Sequence, residues 1–428
     1  MQRTLMKELE SWRLKRNRKP LILKGARQVG KTWLMKEFGR NNFQNVAYVN
    51  FDSDQRVCRI FEEDYDIGRI IRMLNIETGM KIIPEETLII FDEVQEAPRA
   101  ISSLKYFCEN APGYAVIAAG SLLGVAIHEG ISFPVGKVDI LEMHPMSYYE
   151  FLQAMGEEAL AECIEKKDYE SLRIFKDKYV HWLKLYYYIG GMPEAVKDYA
   201  DNGDIRTVRE IQNRILELYE NDFSKHTPSQ ELARIRLVWN SIPLQLAKEN
   251  KKFFFGQIRQ GARAKDFELA IEWLLDCGLI TKVYRVEKPA IPLKAYTDFS
   301  AFKIYLLDVG LLAAMSELDA KTILERNDLF TEFKGALTEQ YVLQQIVAET
   351  TYTAYYYTAS AHSEIDFMIQ KNGTIAPIEV KAEENLQAKS LKAYCEKYKP
   401  DYAVRVSMSN YREEDWLVNL PLYAVRNL

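Results

Sequence analysis

The chain has 428 residues, with 56 Lys and Arg against 61 Asp and Glu for a formal net charge of −5, and 48% of its residues are hydrophobic. That length accommodates two or three domains, each with its own core, and the charge balance argues against a protein that coats nucleic acid over its whole surface. Residues 1–8 lack the apolar run of a signal peptide, the longest apolar stretch (Ala115 to Ile127) is too short for a bilayer and broken by glycines, and five scattered cysteines without C-x-x-C spacing read as free thiols; the expected location is therefore cytoplasmic, with no membrane partner.

Residues 1–40 carry 12 Lys/Arg against 3 Asp/Glu, which serves either a solvated helix and loop or a patch for an anionic partner. A strand-like run, Leu21–Lys24, then flows into Gly25-Ala26-Arg27-Gln28-Val29-Gly30-Lys31-Thr32, followed by the helix former stretch Trp33–Phe38. This is a complete G-x-x-x-x-G-K-[ST] loop between a strand and a helix. Its glycines let backbone N–H groups close around phosphates, Lys31 reaches the β and γ oxygens, and the Thr32 hydroxyl ligates Mg²⁺. The helix N-terminus adds its own partial positive charge. ATP and Mg²⁺ are the expected ligands.

Val46–Phe51 supplies a further strand. Thr87–Phe91 is continuously apolar, as a strand buried on both faces of a parallel sheet must be, and it ends in Asp92-Glu93. An acid at that tip holds Mg²⁺ and a second one orients or deprotonates the attacking water, which makes Asp92 the metal residue and Glu93 the base. A third run, Tyr114–Ala119, ends in Gly120-Ser121, where Ser121 is placed as a sensor of the γ-phosphate, or is an ordinary helix cap. Residues 1–140 thus read as an α/β parallel-sheet nucleotide core.

Strands vanish over 141–228, a helical lid with helices around 169–189 and 205–223 and a glycine break at Gly190-Gly191-Met192-Pro193-Glu194. Residues 229–290 read as a winged helix: helices around Leu232–Lys248 and Ala264–Leu275, then a hairpin wing beginning at Leu279. With 11 Lys/Arg against 6 Asp/Glu from 232 to 290, that segment serves DNA binding or a connector role equally well.

The remaining 291–428 carry a second cluster. A helix over Phe333–Val347 contains Glu339, a strand covers Tyr355–Thr358, and an Asn-Gly hairpin joins Glu364–Ile369 to Ile375–Lys381. Strand alternation places Asp366 opposite the Ile365/Phe367/Ile369 face and puts Glu379 and Lys381 on one face. Two carboxylates and a lysine across neighbouring strands, with Glu339 from the helix, suit Mg²⁺ and phosphodiester hydrolysis. This D…E-x-K pattern is that of restriction-endonuclease-like nucleases. A salt-bridged relic of such a site is the other reading, and 10 Lys/Arg against 13 Asp/Glu from 330 onward give no obvious DNA groove. The histidines (His128, His144, His181, His226, His362) are isolated and expected to be structural.

Pro20–Thr32, Phe91-Asp92-Glu93-Val94-Gln95, Gly120-Ser121, Pro145–Phe151 and Gly190–Glu194 together resemble the bacterial and archaeal AAA-like ATPases, over nearly the whole chain. The resemblance implies ATP binding and hydrolysis by a core plus lid, ahead of a C-terminal module of unknown function. Relatives carry Gly-Arg where this chain has Gly136-Lys137, so a transition-state arginine is left to Arg99 or Arg27. The expected function is ATP turnover coupled to DNA binding or cleavage; the alternative is a nucleotide-driven switch or chaperone-like ATPase whose C-terminal module is a non-catalytic scaffold for nucleic acid or protein. Oligomeric state is not readable from these residues.

Overall fold

The computed structural model describes residues 2–53, 55–121, 124, 133–227, 229–248, 251–325, 330–360, 363–384 and 388–428. The chain forms two compact units, one of Gln2–His144 with Asp276–Gly278, the other of Pro145–Leu275 with Leu279–Leu428. Among the described residues no helix is long and apolar enough to cross a membrane.

The first unit is built on five parallel strands: β1 (Leu21–Lys24), β2 (Asn45–Asn50), β3 (Thr87–Asp92), β4 (Ala115–Ala119) and β5 (Asp139–Glu142), in the order β2-β3-β4-β1-β5. Leu88, Ile89, Ile90 and Phe91 have no exposed surface, because helices cover both faces of a parallel sheet. One side packs a ring cluster in which Phe51, Phe61 and Phe91 meet edge to face at 5.5–5.7 Å, the arrangement aromatic quadrupoles prefer. The carboxyl ends of β1, β3 and β4 lie side by side, which is where ligands bind in such sheets. β5, half-exposed and alternating, completes the sheet beside β1; it has too few apolar residues to be read from sequence.

The second unit begins with helices. Ser147 and Glu150 close a reciprocal capping box on helix Tyr148–Ala154, satisfying two orphan N–H groups. Helices Lys176–Ile189, Pro193–Asn202 and Ile205–His226 follow, with Pro193 at the first turn of its helix. Further on lie eight strands: β6 (Ile280–Val286), β7 (Thr297–Leu306), β8 (Tyr355–Ser360), β9 (Ser363–Lys371), β10 (Thr374–Val380), β11 (Val404–Ser407), β12 (Arg412–Glu414) and β13 (Leu417–Pro421). Their order is β12-β13-β11-β10-β9-β8-β6-β7. The β9–β10 hairpin turns through Asn372 (φ 48°) and Gly373 (φ 78°), the left-handed pair a two-residue turn requires. The partner of β6 is β7, beyond residue 290, and β6 also pairs in parallel with β8. The hairpin that begins at Leu279 is therefore part of this sheet.

The glycine break at 190–191 has a steric cause. Asp308, fully buried, accepts hydrogen bonds from Gly191 N (2.6 Å), Leu311 N (3.0 Å) and Gln344 Nε2 (2.9 Å). A Cβ on Gly190 would lie 2.1 Å from the Asp308 carboxylate, and one on Gly191 would lie 2.0 Å from the Met146 carbonyl oxygen. Burial raises the Asp308 pKa, opposed by those N–H donors. Replacing Asp308 with Ala strands three buried donors and should cost about 3 kcal/mol of stability. A urea-unfolding midpoint unchanged in Asp308→Ala would contradict that role.

Candidate functional site

The phosphate loop runs from the end of β1 into helix Lys31–Asn42, whose N-cap is Gly30 at φ 97°. Gly25 (φ 143°), Gln28 (φ 66°) and Gly30 take positive φ. Such alternation turns successive N–H groups toward a common centre, forming an anion nest. Gly25 is obligatory for a second reason: a Cβ there would sit 2.2 Å from the Met143 carbonyl oxygen.

Lys31 is buried, and its ammonium donates to the carbonyls of Gly25 (2.8 Å) and Ala26 (2.7 Å). Burial pushes its pKa down to about 8, partly opposed by the Glu93 and Asp92 carboxylates. The side chain thus ties the end of the loop back to its first two residues.

Asp92, at the tip of β3, gathers the neighbouring polar groups. Thr32 Oγ1 donates to its Oδ2 at 2.7 Å, the Tyr48 hydroxyl to the same oxygen at 3.0 Å, and Glu93 N to Oδ1 at 3.1 Å. A hydroxyl and a carboxylate converging this closely are the hard oxygen donors Mg²⁺ takes, so the residues present fit that ion. Glu93 has the left-handed backbone (φ 52°); its Oε2 accepts from Gln95 Nε2 at 2.8 Å and from Ser121 Oγ at 3.4 Å. Lys31, Thr32, Asp92, Glu93 and Ser121 are thereby brought together at the ends of three adjacent strands.

Three further residues stand at this site, and no motif assigns them a role. Arg3, buried, donates to Val29 O (2.9 Å) in the phosphate loop and to His144 O (2.6 Å) after β5. Tyr48 could have been found by alternation along β2, where Ala47 and Val49 take the core face and leave Tyr48 and Asn50 on the other. Burial, then the Asp92 charge, push its phenol up to about 12, so it stays a donor. Gln95 is the third. As for the arginines, Arg99 donates to Phe61 O at 2.7 Å and lies over the Tyr65 ring, whereas Lys137 pairs with Glu109 at 2.8 Å.

The second cluster sits on β9, β10 and helix Thr331–Glu349. Asp366 Oδ2 accepts from Val380 N at 2.7 Å, and Lys381 pairs with Glu379 at 2.7 Å. Glu379 Oε2 is buried without a hydrogen-bond partner. Glu339 has other company: Lys251 lies 2.7 Å from Oε1, while Oε2 accepts from the Tyr305 hydroxyl at 3.1 Å and lies 3.8 Å from Lys303. Lys303 is fully buried and also pairs with Glu364. Burial alone would lower the Lys303 pKa; Glu364, Glu339 and Asp366 outweigh it and hold it raised. Glu339 is buried as well, and Lys251 and Lys303 keep its carboxyl low, whereas burial and the Glu339 charge push Asp366 up to about 7. Among the described residues no three His, Cys, Asp or Glu side chains form a metal-holding group. Of the carboxylates in the D…E-x-K pattern and its preceding helix, Glu339 is flanked by two ammonium groups, Asp366 accepts from the Val380 N–H, and Glu379 keeps one oxygen without a partner. His128 and His362 lie outside the described residues.

Fold and site define a P-loop nucleotide-binding unit. Residues 17–152 match the AAA domain family, 180–322 match Domain of unknown function (DUF8612), and 334–424 match Domain of unknown function (DUF4143). None of the curated proteins matches the chain. Among solved structures, the Walker-type ATPase PABY2304 of Pyrococcus abyssi is 14% identical, with 73% of this chain and 94% of that one covered and a TM-score of 0.45. The Aeropyrum pernix ORC1 protein in complex with DNA is 14% identical over 73% and 90%, with a TM-score of 0.30. Cdc6p from Pyrobaculum aerophilum is 12% identical over 72% and 89%, with a TM-score of 0.22. The chain carries an AAA-type P-loop ATP-binding domain followed by two domains of unknown function.

Lys31→Ala should weaken ATP binding by at least about 100-fold, the loss of a charge-assisted phosphate contact in a preformed nest. Titration with a fluorescent ATP analogue measures this, and unchanged affinity would remove the loop from the binding site.

Proposed function

We propose that this protein is an ATP-hydrolysing switch whose second unit is a non-catalytic scaffold for a nucleic-acid or protein partner. The convergence of Lys31, Thr32, Asp92, Glu93 and Ser121 carries the hydrolytic half. In it, the phosphate-loop N–H groups and Lys31 hold the β- and γ-phosphates, and Ser121 donates to a γ oxygen. Glu93 accepts a proton from water as the water oxygen bonds to the γ-phosphorus and the bond to the β–γ bridging oxygen breaks, leaving ADP and phosphate. Thr32 and Asp92 would hold Mg²⁺, which supplies neutralisation of phosphate charge when bound.

The pairing of Lys251 and Lys303 with Glu339 supports the scaffold half. A buried carboxylate with two ammonium partners is a compensated structural cluster, and removing one partner from such a group is costly. A second reading, metal-dependent DNA cleavage, has the free Oε2 of Glu379 and the Lys381–Glu379 pair in its favour, with residues 229–290 as a winged helix. The two readings differ in what Asp366 does.

Glu93→Gln should bind ATP within a few-fold of wild type yet turn over at least about 100-fold more slowly; wild-type turnover would rule Glu93 out as base. Asp366→Asn should leave ATPase activity intact, and neither wild type nor variant should cut linear, nicked or single-stranded DNA with Mg²⁺ or Mn²⁺. Cleavage by wild type that disappears in Asp366→Asn would establish the nuclease reading.

A further inference from the structure

Glu93 occupies the left-handed region, at φ 52° and ψ 43°, where a non-glycine residue is not held by its backbone preference alone. Its carboxylate must therefore be fixed from outside. Of the two donors on Oε2, Gln95 Nε2 at 2.8 Å is the shorter, and Ser121 Oγ at 3.4 Å is long for a hydroxyl. The turn that presents Gln95 is itself rigid: Glu96 N donates to Glu93 O and Ala97 N to Val94 O, immediately before helix Pro98–Asn110.

The orientation of the Gln95 amide follows from chemistry. A carboxylate only accepts, so the NH₂ end must face Glu93 and Oε1 must face away. There Oε1 is buried without a partner, against Gly120, whose added Cβ would lie 2.3 Å from it. An orphaned buried acceptor is unfavourable, and it accompanies the bond that the other end of the amide makes to Glu93. Ser121 has a single hydroxyl proton. Once a γ-phosphate oxygen takes it, Gln95 is the donor that remains on the carboxylate.

We propose that Gln95 is the positioning residue of the hydrolytic site, fixing Glu93 for proton abstraction, an assignment that rests on Glu93 being the base. Glycine at 120 is the second part of the device, because it leaves room for the amide. The chemistry of the step is unchanged: the proton passes from water to Glu93, and Gln95 exchanges none.

The test is steady-state ATP hydrolysis with kcat and KM resolved, in Gln95→Met, Gly120→Ala, Glu93→Gln and the Gln95→Met/Glu93→Gln double variant. Gln95→Met should lower kcat roughly ten- to a hundred-fold with KM within about three-fold, and add nothing in the Glu93→Gln background. Gly120→Ala, which removes no functional group, should lower kcat in the same direction by displacing the amide. Wild-type kcat in Gln95→Met beside an inactive Glu93→Gln would overturn the assignment alone. A loss in Gln95→Met that falls on KM, or that adds in full to Glu93→Gln, would overturn it too. Turnover surviving in Glu93→Gln would bring down the base assignment and this one together.

Discussion

A charge taken out of water must find hydrogen bonds or an opposite charge, and both units are organised around that constraint. In the first, Lys31 is buried at the mouth of the parallel sheet and spends its protons on two carbonyls of its own loop. Asp92 is buried still more completely, and it draws Thr32 and Tyr48 from two other elements onto a single oxygen. An anion entering the nest would compete with those two carbonyls for the Lys31 protons.

In the second unit the same constraint pairs buried charges of opposite sign. Lys303 has no exposed surface and sits between Glu364 and Glu339. Lys251 reaches the other oxygen of Glu339. Glu339 is thus held by ammonium groups from the same unit, whereas Asp366 accepts from a backbone N–H. Asp308 shows the neutral-donor version: a buried carboxylate satisfied by N–H groups, around which glycines 190 and 191 approach too closely for any side chain.

How much of this was legible in the sequence depended on distance along the chain. The phosphate loop, the Asp92-Glu93 strand tip and the Asn372-Gly373 hairpin are local patterns, and each forms where its residues stand. Asp366 and Glu379 could be placed on their strands for the same reason, with Lys381 one residue past the end of β10. What alternation could not supply was the set of partners across long separations. Lys251 meets Glu339 over 88 positions and Arg3 meets His144 over 141; a lysine or arginine carries no mark of the acid or carbonyl it will find. The hairpin partner of β6 was illegible in another way, because β7 follows ten residues that include a short helical turn, Leu293–Tyr296, in place of a tight two-residue turn. Gln95 stood in a recognised motif, but its role depends on a side-chain orientation that no spacing encodes.

A single count decides most directly between one metal site and two. Mn²⁺ binding followed by electron paramagnetic resonance, with and without a non-hydrolysable ATP analogue, separates the two clusters. With one nucleotide site and a closed carboxylate cluster, one tight Mn²⁺ per chain binds, and only when the nucleotide is present. A tight Mn²⁺ that binds without nucleotide and disappears in Glu379→Gln would contradict the account.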